Sequence, residues 1–418
     1  MKQRIRKIFA HPLIYGSSIL VCGSMVANFL NFLFNVFMSR NLSPADYGTL
    51  ATIVAFIGFP ALAANAIGPV IIRYGGEYFA KGELHKARGL YIKITQVFLA
   101  VAAVVCLLLF VFTSQINSFL QIHNVFLLYL TDAIIFFTLI SVINIAFLQA
   151  KLSFGFQVFV NILISGIKIV VGVILVLLGF SITGTIIAIV AATVISYIVS
   201  FSPLRFVFSK KIVSAPLDTK ELFAYGLPSA VTLFGLTSLI SADIILVKHF
   251  FNPVMAGYYA GLSLIGRVIF YFSSPIGSVM FPLVVQKHTR KEDFDSTFKL
   301  SLALVFLPSL LLTIFYFLFP KFTILFFLKK TDYLVIAPLV GLFGIFISLY
   351  AVLGILCNFY LSIKKTWVCI PIVLGALLQI IFIIFYHQTF LQIVVISLCT
   401  TFVLLVGLLL YYQYATKK

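Results

Sequence analysis

A lysine lies in the middle of a long apolar segment, on a helical face that it shares with other polar residues. Gln157, Asn161, Ser165, Lys168 and Gly172 recur at spacings of three and four residues, which places them on one side of a helix. Lys168 is about 11 residues, or roughly 16 Å, from either end of the segment, beyond the comfortable reach of its side chain. A charged lysine at this depth costs at least about 2.5–3.5 kcal/mol. We therefore expect it either to face a cavity that receives an anion or to form a structural ion pair.

An arginine occupies a comparable position later in the chain. Tyr259, Ser263, Arg267, Ser274 and Ser278 share one face of a second predicted helix, and Arg267 is deep enough to need a partner. A guanidinium group can bind the oxygens of a phosphate in pairs, so the ligand that this face favours is an anion. The alternative is a salt bridge to a carboxylate of the same chain.

Two carboxylates fall inside the predicted membrane segments, both toward the outer ends of those segments. Asp132 and Asp243 are alternative partners for Arg267, and they are also candidates for binding a proton or a cation. For Asp243, an ion pair with Lys248 at the membrane interface is an equal alternative. The sequence leaves these roles open.

The first apolar segment carries a polar stripe. Ser17, Ser24, Asn28, Asn31 and Asn35 lie close to multiples of the helical repeat, so they share one face. Amides that face lipid find no hydrogen-bond partner, which makes lipid exposure of this stripe expensive. Hydrogen bonds to neighbouring helices would satisfy some of these groups. Because the stripe is nearly five turns long, it favours a water-filled cavity.

The elements that position these side chains are membrane-spanning helices. The chain is 62% hydrophobic and 10% charged, far below the roughly 25% charged residues of soluble domains. Apolar segments of about 20 residues recur along its length, and each could cross a hydrocarbon core about 30 Å thick. The first segment is too long for a signal peptide and has no clear cleavage site, so it is predicted to remain as a span. We predict an all-α polytopic membrane protein with about 12 spans, at residues 13–38, 47–72, 91–113, 125–149, 157–179, 184–204, 223–247, 256–284, 299–319, 333–360, 368–386 and 392–412.

The chain has a net charge of +18, and the distribution of its basic residues indicates the topology. Most Lys and Arg residues fall in segments on the same side of the membrane as the N-terminus. The other side has a short set of basic residues: Arg40, Lys248, Lys321, Lys329 and Lys330. This asymmetry predicts that both termini are cytoplasmic. Membrane lipids with anionic headgroups are therefore the partners that the charge favours, and nucleic acid is not expected.

The sequence lacks the groups that membrane enzymes of glycan assembly need. No predicted external loop exceeds roughly 15 residues, and we find no Walker loop or paired carboxylate motif. All five cysteines fall inside predicted spans without metal-ligand spacing, and the six histidines form no cluster. We therefore expect neither catalysis nor a metal or other cofactor.

The two halves of the chain resemble each other at a fixed offset. Pro44 pairs with Pro253 and Gly48 with Gly257, each pair separated by half of the 418-residue chain. Ala51 and Ala260 keep the same offset. Six spans per half would give both halves the same orientation. The predicted organisation is an N-terminal six-helix lobe at 1–204, a cytoplasmic linker at 205–222 and a C-terminal six-helix lobe at 223–418.

The polar hinge between the first two spans points to a family. Its sequence, MSRNLSPADYGTLATIVAFIG, closely resembles the signature at the end of the first helix in bacterial polysaccharide exporters. These are the O-antigen and capsule-type repeat-unit flippases of the multidrug/oligosaccharidyl-lipid/polysaccharide exporter superfamily. The span layout, the basic loop after the second span and the linker after the sixth extend the resemblance to the whole chain. Peptidoglycan-precursor flippases carry two further helices, so that subfamily is less favoured.

The resemblance implies a V-shaped pair of lobes that works by alternating access in the bacterial cell membrane. The substrate it implies is an undecaprenyl-diphosphate-linked oligosaccharide, turned from the cytoplasmic to the outer leaflet for surface polysaccharide assembly. Polysaccharide polymerase and glycosyltransferases are the further partners of such a pathway. By position, Lys168, Arg267 and Arg40 are candidates for binding the diphosphate. Asp243 and Asp132 are candidates for ion coupling.

The remaining predicted substrate contacts are side chains that can hydrogen-bond sugar hydroxyls. They are Asn28, Asn31, Asn35, Asn161 and Ser165. A multidrug or cation antiporter of the same fold is the main alternative. Because cationic drugs call for acidic residues in the cavity, the two buried cations favour an anionic substrate instead. A membrane enzyme of glycan assembly is the third class, and the missing catalytic groups argue against it.

Overall fold

The structure, a computed structural model, describes residues 12–65, 67–122, 124–208 and 220–415. These residues form 15 α-helices and three short 3₁₀ helices, with no strand among them. The predicted all-α class is therefore confirmed. In chain order the helices are α1 Pro12–Asn41, α2 Pro44–Asn65, α3 Gly68–Ala80, α4 Leu84–Val111, α5 Thr113–Phe119, α6 Val125–Ala150, α7 Phe154–Leu177, α8 Ser181–Ser200, α9 Lys220–Phe250, α10 Pro253–Thr289, α11 Asp295–Leu318, α12 Pro320–Leu328, α13 Ala337–Ser362, α14 Cys369–Phe385 and α15 Phe390–Ala415.

Within the described residues, eleven helices are long and apolar enough to cross a membrane, as a multi-pass membrane protein requires. They correspond to eleven of the predicted spans. The remaining predicted span, 47–72, is divided between two helices, because α2 ends at Asn65 and α3 begins at Gly68. A proline stands in the first turn of α3, where its missing N–H has no helical partner to lose.

Some sequence features lie outside the described residues. These are the basic N-terminal residues Lys2, Arg4, Arg6 and Lys7, the centre of the predicted linker at 209–219, and His123. The side chain of Ser17, the first member of the polar stripe of α1, is also outside the described part.

The chain divides into two compact units. The first comprises the described residues of 1–34, 60–118 and 122–230, and α6 is its central helix, packed against α3, α4, α7 and α8. A buried hydrogen-bond chain joins three of these helices. The hydroxyl of Tyr91 in α4 donates to Asn144 in α6 over 2.7 Å, and the amide of Asn144 donates to Ser200 in α8 over 2.7 Å. Such satisfied buried polar groups fix the register of helices that apolar contacts alone leave free to slide.

The second unit comprises residues 35–59, 119–121 and the described residues of 231–418. Its central helix is α13, which packs against α10, α11 and α15 and is buried along most of its length. Residues 35–59 belong to the first half of the sequence, yet they pack with residues of the second half. The lobe boundaries predicted from sequence stay a prediction.

Within the second unit, the two segments that the sequence pairs at half the chain length meet directly. A Cβ atom added to Gly257 would lie 1.9 Å from the carbonyl oxygen of Pro44, and one added to Gly48 would lie 2.7 Å from the backbone nitrogen of Gly257. The backbones of α2 and α10 thus touch at their first turns. Only glycine permits this approach, which explains why both segments carry one at the same offset.

Candidate functional site

The predicted polar faces of α1 and α7 come together in the first unit. Gly23 of α1 lies so close to α7 that an added Cβ atom would be 2.2 Å from a methyl group of Val158. The short interhelical distance lets side chains of one helix bond the backbone of the other. Ser165 of α7 is buried, and the single proton of its hydroxyl lies within reach of two carbonyls, that of Ala27 in α1 at 3.3 Å and that of Asn161 at 3.1 Å.

Lys168 lies one turn beyond Ser165 and also faces α1. Its ammonium group donates a hydrogen bond to the side-chain oxygen of Asn31. The amide nitrogen of Asn31 in turn donates to the hydroxyl of Ser165 over 3.1 Å. The Lys168 ammonium also lies over the ring of Phe34, 4.6 Å from the ring centroid. The amide group of Asn31 therefore orients the lysine while being oriented itself by Ser165.

Lys168 has no carboxylate at ion-pair distance among the described residues. The ion pairs recorded there join exposed or half-buried groups: Lys81 with Glu77, Lys86 with Glu83, and Arg290 with Glu292. A lysine held by neutral partners has no negative side chain beside it that competes with an anion. The structural ion pair expected as one alternative for Lys168 is therefore not seen among the described residues, and its role in anion binding stays a prediction.

The other residues of these polar faces differ in burial and in hydrogen bonding. Gln157 is buried near the start of α7, and its side-chain oxygen has no hydrogen-bond partner among the described residues. Asn161 contributes its backbone carbonyl to Ser165 and is half-buried, as is Asn28 in α1. Asn35 is half-buried too, and it belongs to the second unit rather than the first. The structure thus brings Asn31, Ser165 and Lys168 together. The roles of these three residues in substrate binding stay predictions, as do those of Asn28, Asn35 and Asn161.

Arg267 occupies the second unit, in the middle of α10. The side chain is half-buried, and its Nε atom is buried without a hydrogen-bond partner among the described residues. Its charge acts on the nearby groups of Tyr47, Tyr350 and Asp243. No ion pair to Asp243 or Asp132 forms in the described part of the chain. One buried donor of this guanidinium is thus unsatisfied among the described residues.

Asp243 in α9 is fully buried, and its carboxylate accepts two short hydrogen bonds. The hydroxyl of Tyr259 donates over 2.7 Å, and the backbone N–H of Ile244 donates over 2.8 Å. The interfacial ion pair with Lys248 that the sequence allowed is not among the described contacts. Lys248 is itself buried and lies near the charge of Asp46 instead.

Asp132 has a different environment in the first unit. Its side chain is half-buried in α6, and its backbone carbonyl accepts a weak hydrogen bond from the thiol of Cys106 at 3.6 Å. Neither carboxylate belongs to a cluster that could hold a metal ion among the described residues. Both stay candidates for ion coupling.

Arg40 forms hydrogen bonds with the end of another helix. Its guanidinium group donates to the carbonyls of Phe326 and Phe327 over 2.6 and 2.8 Å, in the last turn of α12. Lys330, just after α12, donates over 2.6 Å to the carbonyl of Leu42, just after α1. Burial lowers the pKa of Lys330, and the nearby Asp332 offsets part of this shift. Each cation thus satisfies carbonyl groups that the other helix leaves without a partner.

Sequence reasoning missed Phe34 and Lys330. Phe34 follows Asn31 by three residues and so lies on the polar face of α1, but an aromatic residue in an apolar span gives no sign of contacting a charge. Lys330 was assigned only to the outer side of the membrane, since its partner is a backbone carbonyl that no sequence pattern identifies.

The fold is shared with solved transporter structures. A multidrug resistance MATE family transporter of the MOP superfamily, in an inward-facing conformation, matches with a TM-score of 0.71 at 16% identity over 96% of this chain and 99% of that chain. The lipid II flippase MurJ, in an inward closed conformation, matches with a TM-score of 0.71 at 15% identity over 96% of this chain and 87% of that chain. A MOP superfamily transporter from Pyrococcus furiosus Vc1 (DSM3638) matches with a TM-score of 0.60 at 16% identity, over 96% of each chain.

At these identities the likeness concerns the fold. No curated protein matches the sequence. The eleven long apolar helices and the fold shared with these transporters indicate a multi-pass membrane protein. A family model described as polysaccharide biosynthesis protein matches residues 37–336, and the chain belongs to this family. The resemblance identified in the hinge sequence is thereby confirmed.

Proposed function

We propose that the protein moves undecaprenyl-diphosphate-linked oligosaccharide repeat units from the cytoplasmic to the outer leaflet of the bacterial cell membrane. The observation that carries this proposal is the state of Lys168, a mid-span cation whose described partners, Asn31 and Phe34, are uncharged. Membership of the polysaccharide biosynthesis family supports a glycan substrate. The transporter fold supports movement across the membrane.

A diphosphate group crosses the apolar interior of a membrane only if a charge of opposite sign compensates it, because the interior has a low dielectric constant. Lys168 is suited to this role as a compact point charge with three donors. Asn31 takes one of these donors, so the others are available to phosphate oxygens. Side-chain amides along α1 and α7 can then bond sugar hydroxyls.

Arg267 is the second candidate for diphosphate binding, and it acts from the second unit. Its unpartnered Nε atom and half-buried side chain leave it able to bind an oxyanion. Arg40 supports this role less well, because its Nε and one terminal nitrogen already donate to backbone carbonyls. Asp243 and Asp132 are candidates for coupling transport to an ion gradient.

Replacing Lys168 or Arg267 with alanine tests the proposal in cells. At normal membrane expression, either variant should block export of surface polysaccharide and cause lipid-linked oligosaccharide to accumulate on the cytoplasmic side. Lys93→Ala is a matched control, because Lys93 is an exposed lysine of the same unit as Lys168. Full export in both the Lys168 and Arg267 variants would exclude the cationic site as the basis of transport.

A multidrug antiporter of the same fold predicts a different phenotype. Deletion of the gene would then change the efflux of cationic dyes and leave the surface polysaccharide intact. If the protein were a membrane enzyme, the purified protein would chemically convert lipid-linked sugar. Under the proposed function, deletion removes surface polysaccharide, dye efflux is unchanged, and the purified protein leaves the lipid-linked sugar chemically intact.

A further inference from the structure

The partners of Lys168 differ in kind from those expected for a buried cation. Cations inside membranes usually pair with carboxylates or with backbone carbonyls. Here the described partners are the side-chain oxygen of Asn31 and the ring of Phe34. Phe34 is only 2% exposed and Lys168 is half-buried, so their contact lies largely away from solvent. An aromatic face attracts a cation most strongly where water is excluded.

We propose that Phe34 is a positioning residue of the anion site. Its ring stabilises the Lys168 ammonium group in the membrane interior and leaves the positive charge uncompensated, so that an anion can bind it. This inference rests on the proposed function, since it assigns Lys168 to the diphosphate. It adds a residue that contacts the lysine and not the substrate.

The choice of a ring over a carboxylate has a direct consequence for an anionic ligand. A carboxylate beside Lys168 would neutralise it and repel the incoming phosphate oxygens. The quadrupole of a phenyl ring stabilises the cation without adding net charge. Phe34 thus meets two requirements that conflict for any acidic partner: it lowers the cost of burying the cation, and it keeps the site attractive to anions.

The geometry also fixes where the ammonium group points. Phe34 and Asn31 lie one helical turn apart on α1 and contact the same nitrogen atom. Ser165 holds the amide of Asn31 through a 3.1 Å hydrogen bond, so the acceptor is itself oriented. With the ring on one side and the amide oxygen on another, the remaining N–H donors of Lys168 have a defined direction.

Fluorinated phenylalanines at position 34 test this role without changing the shape of the core greatly. Each added fluorine weakens the negative face of the ring while nearly preserving its size. The full chain in lipid nanodiscs would be titrated with geranylgeranyl diphosphate as the probe, for phenylalanine and for its mono-, di- and trifluoro derivatives. We expect affinity to fall stepwise, by roughly fivefold in total, with the loss of the cation–π interaction.

A matched control uses the same fluorinated residues at Phe147, a fully buried phenylalanine of the same unit that packs among apolar and aromatic side chains. Fluorination there should leave the affinity for the probe unchanged, whereas a packing role alone would give similar responses at both positions. Phe34→Leu adds a second measurement, since it removes the ring. It should weaken probe binding by at least as much as trifluorophenylalanine.

The outcomes separate this inference from the proposed function. If Lys168→Gln loses probe binding but fluorination at position 34 has no effect, Phe34 only fills space and the positioning role is wrong, while the anion site stands. An affinity that rises with fluorination would mean that the ring competes with the anion, and it also overturns the inference. If Lys168→Gln binds the probe as well as the unchanged chain, both the inference and the proposed diphosphate site fail.

Discussion

Lys168 and Arg40 were both predicted to bind the diphosphate, and the structure gives them different surroundings. Lys168 lies in the first unit, where its described partners are one side-chain amide and one aromatic ring. Arg40 lies in the second unit, where two of its donors bond the carbonyls of Phe326 and Phe327 at the end of α12. One cation is held by neutral side chains, and the other is bound to a helix terminus.

We infer from this comparison that depth and charge alone do not define an anion site. The last carbonyls of a helix lack intrahelical donors and carry partial negative charge, so a cation there completes the secondary structure. An amide oxygen or a ring face orients a cation without completing any other element. The chemistry of the existing partners therefore separates a cation available to a ligand from one with a structural role.

The largest expected effect separates the two cations by ligand binding. Lys168→Gln removes the charge and keeps a polar side chain, so it should weaken binding of geranylgeranyl diphosphate by about 10- to 100-fold, as expected for losing a hydrogen bond between charged groups. Lys168→Arg keeps the charge and should retain a measurable part of the affinity. Titration by calorimetry in nanodiscs measures both. Equal affinities for the unchanged chain and the Lys168→Gln variant would show that Lys168 does not differ from Arg40 in ligand binding.

Arg267 extends the comparison to the second unit. Its Nε atom has no described partner, unlike that of Arg40, so we place it with Lys168. Arg267→Gln should weaken binding of the same probe by about 10-fold or more. Arg267→Lys should recover less than Lys168→Arg does, because a lysine cannot bind two phosphate oxygens in parallel. Unchanged affinity of the Arg267→Gln variant would indicate that Arg267 has a structural role and does not bind the probe.

Arg40 should respond in stability and not in binding. Arg40→Gln removes two hydrogen bonds to α12, and we expect the free energy of unfolding to fall by about 1–3 kcal/mol. The apparent melting temperature of the purified protein measures this loss. Lys321→Gln is the control, since Lys321 is exposed on the same helix and has no described hydrogen bond. If Arg40→Gln keeps its melting temperature and loses affinity for the probe, the structural assignment of Arg40 is wrong.

The smallest effect tests how Lys168 is oriented. Ser165→Ala removes the hydrogen bond that holds the amide of Asn31, and that amide contacts Lys168. We expect probe binding to weaken by about two- to fivefold, consistent with one neutral hydrogen bond. Ser165→Thr keeps the hydroxyl and should restore most of the affinity. A loss as large as that of Lys168→Gln would show that Ser165 contacts the ligand itself.

Much of the fold could be predicted because membranes restrict the available structures. Long apolar segments must be helical, since an unpaired backbone in lipid is too costly, and this gave eleven helices that the structure confirms as candidate spans. The second predicted span is divided where Gly68 and Pro69 begin a new helix. The packing of residues 35–59 with the second half could not be read from the sequence, because it depends on backbone contacts such as that of Gly257 with Pro44.

The candidate site was predictable in part. Helical spacing placed Asn31, Ser165 and Lys168 on the right faces of α1 and α7, and the structure joins them by hydrogen bonds. The same reasoning could not separate Lys168 from Arg40, because the partners of Arg40 are backbone carbonyls nearly 300 residues away. Phe34 was overlooked since an apolar residue in a span has many possible neighbours.

Direct measurement of translocation tests the central claim. The purified chain would be placed in liposomes with a fluorescent undecaprenyl-diphosphate oligosaccharide, and a membrane-impermeant quencher would report how quickly the lipid reaches the outer leaflet. We predict rapid movement with the unchanged chain and with Arg40→Gln, and movement at the protein-free rate with Lys168→Gln. Full activity of Lys168→Gln in this assay, or no movement with the unchanged chain in the presence or absence of an ion gradient, would contradict the account.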